Sequence, residues 1–246
     1  CSANQNIVNT VHMEAEWNPA SPVDESRWLT SLAEAENLPG AMVAQAWLDR
    51  EDADEVLAGQ ASFPLVRGIR QKPKAAPSAA DYVPGLPGSM ADPKFRAGYA
   101  LLAQHGLSYD LQTPWWHLAE AAELASDFPE TQIIINHTAL PADRSPAGLD
   151  GWRQAIGLAA RQSNIAIKIS GIGVKGEAWT VAANRQIVLD TIEAFGADRC
   201  LFASNFPVDS LVADFDTIFN GFKTITRDFS SDDRRKMFHD NAVRIY

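Results

Sequence analysis

Gln132-Ile133-Ile134-Ile135-Asn136-His137-Thr138 is the stretch from which the chain is best read. Three consecutive isoleucines make a β-branched, wholly apolar run, which suits a strand covered on both faces, as in a parallel sheet. The run ends abruptly in Asn136 and His137, and Pro141 closes it. A strand that is apolar along its length and polar only at its C-terminal end fits a (β/α) enzyme, in which the chemistry sits at the C-terminal ends of the strands. The plainer reading is a histidine that caps a strand and hydrogen-bonds a loop.

On either side of this stretch, strand and helix patterns alternate. Strands are expected over 7–17, 41–48, 65–70, 107–112, 132–137, 165–169 and 200–203. Helices are expected over 22–36, 52–59, 93–104, 116–128, 149–162, 181–195, 213–227 and 231–240. Pro93 suits a first helical position, Gly106 and Gly196 act as stops, and Ser230 or Ser231 caps the last helix. Residues 72–92, rich in Pro, Ala and Gly, form a long loop of the kind that is functional or mobile. Strict alternation argues for βαβ units and a parallel sheet. The rival is a doubly wound open sheet, but no strand leads into the G-x-G-x-x-G turn that such a sheet usually carries.

The chain has 246 residues, close to the ~250 of a single barrel domain. Its 46% hydrophobic and 21% charged residues are ordinary globular values. A formal net charge of -10 without a Lys/Arg block argues against nucleic acid. No apolar run approaches the ~18 residues of a membrane span. Cys1 and Cys200 give neither a disulfide framework nor zinc-type spacing, which fits a cytoplasmic protein. A small-molecule substrate is therefore expected, with a homo-oligomer left open.

Polar residues gather at the strand ends: His12, Glu14 and Glu16; Gln45 and Asp49; Arg67 and Arg70; Asp110 and Gln112; Asn136 and His137; Lys168 and Ser170; Ser204, Asn205 and Asp209. His12 shares strand parity with Glu14, and His137 with Ile133 and Ile135. His137 is the leading candidate, as general acid/base or as metal ligand. Arg70 is next, because a guanidinium there can hold a carboxylate or a developing oxyanion. The competing role for Arg67 and Arg70 is an ion pair with a strand-end acid such as Asp110. His12, Glu14, Gln112, Trp115 and His117 are candidate substrate contacts, while core packing is the commoner use of tryptophan. No H-x-H or H-E-x-x-H is present.

As a set, Val11-His12-Met13-Glu14-Ala15, Val66-Arg67-Gly68-Ile69-Arg70, Ser108-Tyr109-Asp110-Leu111-Gln112, Ile135-Asn136-His137-Thr138, Lys168-Ile169-Ser170-Gly171, Phe202-Ala203-Ser204-Asn205-Phe206-Pro207 and the closing Asn241-Ala242-Val243-Arg244-Ile245-Tyr246 resemble the amidohydrolase-2 group of the amidohydrolase superfamily. Within that group the chain looks most like the branch of sugar-acid and dicarboxylate lactonases. The resemblance implies an α/β fold, a distorted TIM-barrel-like (β/α)8 domain over 1–246, and hydrolysis of a lactone or related ester-like bond. A metal-dependent decarboxylase and a non-catalytic binding barrel are the alternatives. It implies either no cofactor or one divalent metal, zinc or manganese, with His137 the candidate ligand. The family's mid-chain histidine maps onto His137, its strand-end arginine onto Arg70, and its late catalytic Asp onto Asn205. That last position departs from the pattern, since an amide cannot take a proton from water. Water activation then falls to His137, to a carboxylate such as Asp209 or Glu14, or to a metal.

The family's first strand ends in a His-x-His pair that this sequence lacks. Seven strands are counted where a closed barrel needs eight, so the expectation is an upstream strand bearing two histidines beyond Cys1.

Overall fold

The computed structural model describes residues 4–246. Its strands are β1 (Val11–Met13), β2 (Ala41–Gln45), β3 (Val66–Gln71), β4 (Ser108–Leu111), β5 (Ile133–Ile135), β6 (Ile165–Ile169) and β7 (Cys200–Phe202). Their order in the sheet is their order in the sequence. The pairs β1–β2, β2–β3, β3–β4 and β6–β7 are parallel. A doubly wound sheet reverses its strand order at a switch point. Here the order never reverses, which is the topology of a (β/α) barrel.

The helices are α1 (Val23–Glu36), α2 (Ala53–Ala61), α3 (Pro93–Tyr99), α4 (Leu101–Gln104), α5 (Leu118–Asp127), α6 (Pro146–Ala159), α7 (Val181–Phe195), α8 (Phe215–Ile225), α9 (Ser231–Arg235) and α10 (Asn241–Ile245). Side-chain caps set several of their starts. Asp92 accepts from the Lys94 N–H ahead of Pro93, Thr180 from Ala183, Asp214 from Thr217 and Ser230 from Asp233. Ser145 caps α6 through the Gly148 N–H, with Pro146 next to it, so that helix begins three residues before the expected 149. The expected strand over 7–17 shrinks to Val11–Met13. Glu16 turns to φ 55°, and Ile7 and Val8 are 42% and 65% exposed.

The chain divides into two compact units: Val8–Gln112 with Glu120–Ile134 and Tyr246, and residues 4–7 with Thr113–Ala119 and Ile135–Ile245. The first unit holds β1 to β4 and an aromatic cluster. Tyr109 meets Phe95 and Tyr99 edge-on at 6.0 and 5.3 Å, and Tyr99 meets Phe128 at 5.2 Å. Its loop over 72–92 is tied at its two ends. The Lys74 N–H donates to Gly88 O (2.8 Å), the Gly88 N–H donates to Asp92 (2.6 Å), and Ser89 and Met90 are fully buried. The second unit packs Phe202 on Phe222 and Phe238 at 4.6 and 4.4 Å. Cys200 of β7 is buried, and burial pushes its thiol up to about 12, so it serves packing rather than reactivity.

Helix α3 sits so close to the backbone after β2 that a Cβ on Gly98 would lie 1.9 Å from Leu48 O. Gly98→Ala is expected to destabilise the protein by about 1–3 kcal/mol or more, the overpacking scale. An unchanged urea midpoint would show that the helix can shift away.

Candidate active site

The apolar run behaves as its composition requires: Ile133, Ile134 and Ile135 are all fully buried. The backbone immediately after them could not be read locally. His137, Thr138, Ala139 and Leu140 have φ of 55°, 49°, 58° and 57°, four consecutive non-glycine residues in the left-handed region. Each such residue costs roughly 1–2 kcal/mol, and conformations of this kind cluster at functional sites. The turn is held by Ala139 N–H to Asn136 O (3.1 Å), Leu140 N–H to His137 O (2.8 Å) and the Trp152 indole N–H of α6 to Thr138 O (2.7 Å).

The turn brings the half-buried His137 ring against the end of β6, where Nδ1 lies 2.9 Å from Ser170 Oγ. Gly171 comes next at φ 58°, and a Cβ there would stand 2.7 Å from His137 Nδ1. Only glycine fits both the backbone angle and the ring. The Gly171 N–H donates to the Asp209 carboxylate. Asn205, itself at φ 53°, donates from Nδ2 to Asp209 Oδ1 (2.7 Å). His137, Ser170, Gly171, Asp209 and Asn205 thus form one contiguous polar set within the second unit.

Asp209 is 7% exposed. Burial pushes its carboxyl up from the usual range, against the hydrogen bonds from Asn205 and Gly171, which pull it down. A carboxyl raised on folding contributes stability that is present in acid and lost as pH rises through the folded value. The stability gap between wild type and Asp209→Ala, read from thermal melts, is therefore expected to narrow in the mutant's favour from about pH 4 to 7. A gap that widens with pH would mean the hydrogen bonds outweigh burial.

In the first unit, Gln45, Arg70 and Asp110 lie in register across β2, β3 and β4. Arg70 does not pair with Asp110. Its Nε donates to Glu14 Oε1 (2.6 Å) and its Nη2 to Glu14 O (2.5 Å), and Asp110 instead accepts from the Tyr246 hydroxyl at 3.0 Å. Arg67 turns outward to the carbonyls of Pro64 and Val66. His12 is bound to Glu25 of α1 (3.0 Å), not to Glu14. Glu14, Gln45 and Arg70 line a cavity of ≈ 350 Å³ together with Trp17, Trp47 and Lys72. Gln45 Oε1 is buried there without a hydrogen-bond partner among the described residues.

Of the remaining candidates, Gln112 is half-buried. Trp115 packs its ring against Gly151 of α6 in the second unit, and His117 is buried ahead of α5. Trp17 and Trp47 were not singled out from the sequence; only their closeness to strand ends hinted at a cavity wall.

Among the described residues, no three His, Cys, Asp or Glu side chains gather as a metal-binding group, whereas a catalytic zinc wants about three protein ligands. The side chains in place do not fit such a centre, and His137 Nδ1 meets a hydroxyl instead.

The sequence pattern of the amidohydrolase family matches residues 4–246. Protein y4mH of Sinorhizobium fredii is 41% identical over 243 residues, 99% of this chain and 82% of that protein. An L-fucono-1,5-lactonase of Burkholderia ambifaria is 26% identical over 234 residues, 91% of this chain and 76% of the lactonase. An amidohydrolase of Burkholderia multivorans, solved with bound HEPES, superposes at a TM-score of 0.80 with 22% identity, over 97% of this chain and 83% of its own. That likeness gives the fold as the distorted barrel of these enzymes, and the family pattern across the described chain settles the rest: the protein belongs to the amidohydrolase family.

Proposed function

We propose that this amidohydrolase is a lactonase, opening a small polar or acidic lactone in the cytoplasm. The observation that carries this reading is the left-handed turn that fixes His137 against Ser170, Gly171 and the Asp209–Asn205 pair. Water attacks the ring carbonyl carbon, the ring C–O bond breaks, and a proton passes from the water to the leaving alkoxide, giving a hydroxy acid. His137 carries that proton, a role an imidazole can fill near neutral pH. Asn205 orients by hydrogen bonding, and Asp209, held by Asn205 and Gly171, is the nearby carboxylate that this amide does not replace. Arg70, in the first unit, is already neutralised by Glu14, so its proposed role is to offer hydrogen bonds rather than net charge. The distant kinship with an L-fucono-1,5-lactonase supports the substrate class.

The test is base uptake in a pH-stat with a panel of sugar-acid lactones that includes L-fucono-1,5-lactone, alongside elemental analysis of the purified protein. Catalysed opening of at least one lactone is expected. Binding without opening would make the protein a binding module. Stoichiometric zinc or manganese with release of CO2 from a dihydroxybenzoate would make it a decarboxylase.

A further inference from the structure

Just beyond the left-handed turn lies a cation that lactone opening by His137 leaves unused. Arg144 donates from Nη2 to Ile172 O at 2.7 Å, while its Nε and Nη1 are buried without a hydrogen-bond partner among the described residues. Burial pushes this guanidinium down from its ordinary range, and only the charge of Glu177 pulls the other way. Arginine keeps its proton regardless, so the result is a partly desolvated positive charge with donors to spare. Buried donors left unmade are costly, and in a native structure each one calls for a reason, an unseen ligand among them.

Arg144 lines a cavity of ≈ 150 Å³ in the second unit with Leu140, Pro141, Gly171, Ile172 and Lys175. A cavity of that size holds several water-sized groups, which leaves room for a carboxylate on a short stem. Lys175 adds a second, exposed cation. One wall is Gly171, the residue that abuts the His137 ring and donates to Asp209. An anionic group seated here would lie one residue's breadth from the proposed acid/base. The contrast with Arg70 is direct, since that guanidinium already holds a carboxylate 2.6 Å away. In a chain of net charge -10, an anion needs such a local positive pocket to be drawn in.

We propose that the Arg144–Lys175 cavity is a subsite for a carboxylate carried by the substrate. The identity of the molecule bearing that carboxylate rests on the lactonase reading; the recognition of the anion does not. The alternative role for Arg144 is a strap that ties the loop after β5 to the loop after β6 through Ile172 O.

Isothermal titration at low ionic strength separates the two, with succinate and inorganic phosphate as probes against wild type, Arg144→Met and Lys175→Gln. Saturable succinate binding is expected in wild type, weakened about tenfold or more in Arg144→Met, the scale of one lost charge-assisted contact, with a smaller loss in Lys175→Gln and weaker binding of phosphate. No saturable binding in wild type, equal binding in Arg144→Met, or preference for phosphate would each overturn it. If Arg144→Met does not fold, Lys175→Gln decides: a measurable loss of succinate affinity supports the subsite and none refutes it. Succinate binding without any lactone turnover would leave the subsite standing and remove the lactonase reading, and turnover without succinate binding would do the reverse.

Discussion

Replacing His137 with alanine is expected to lower kcat on any lactone the protein opens by about 10²-fold or more, the usual scale for a lost acid/base group. The expectation rests on backbone as much as on side chain. Four successive left-handed residues oppose the local preference of every one of them, and the turn persists because backbone hydrogen bonds and the Trp152 indole hold it. Its effect is to set the ring of His137 on Ser170 and Gly171 at the end of β6. An alanine there keeps the turn and removes the imidazole. Steady-state measurement of kcat, with a thermal melt to confirm folding, checks it, and unchanged turnover would return His137 to the plainer role of a strand cap.

How far the sequence alone could lead is visible in particular elements. The strand Ile165–Ile169 and the helix Val181–Phe195 match expectation residue for residue, because isoleucines and alanine around a single Lys168 suit a strand covered on both faces and because Gly196 stops the helix. The parallel sheet followed from strict alternation of strand and helix, and its unreversed order from the absence of a G-x-G-x-x-G turn. The left-handed turn did not, since His-Thr-Ala-Leu contains no glycine to announce positive φ. The partner of Arg70 was also hidden. Register does place Asp110 beside it, but that carboxylate accepts from Tyr246, and the acid that reaches Arg70 comes from 56 residues away. Arg144 gave no signal at all, lying in a polar loop where a charge is ordinarily solvated; only its burial, a tertiary fact, marks it out.

Arg70→Met is expected to be the most damaging single change to stability. Glu14 is 3% exposed and the Arg70 side chain 12%, so the pair is shielded from water. Removing one member leaves a buried carboxylate uncompensated, a loss on the scale of about 3–5 kcal/mol, whereas an exposed ion pair would lose at most about 1 kcal/mol. The Glu14 backbone carbonyl loses its donor in the same stroke. The double variant Glu14→Gln/Arg70→Met tests the cause, because taking away the carboxylate charge as well should restore much of the loss. If the deficit arose instead from the methionine's shape, the double variant would be no better than the single one. Urea midpoints at constant m-value read both. A deficit of the full size that the second substitution partly repairs would mean that Glu14 depends on Arg70 to be buried beside Gln45 and Trp47, and that the shape of this cavity is set by charge pairing before any substrate enters it.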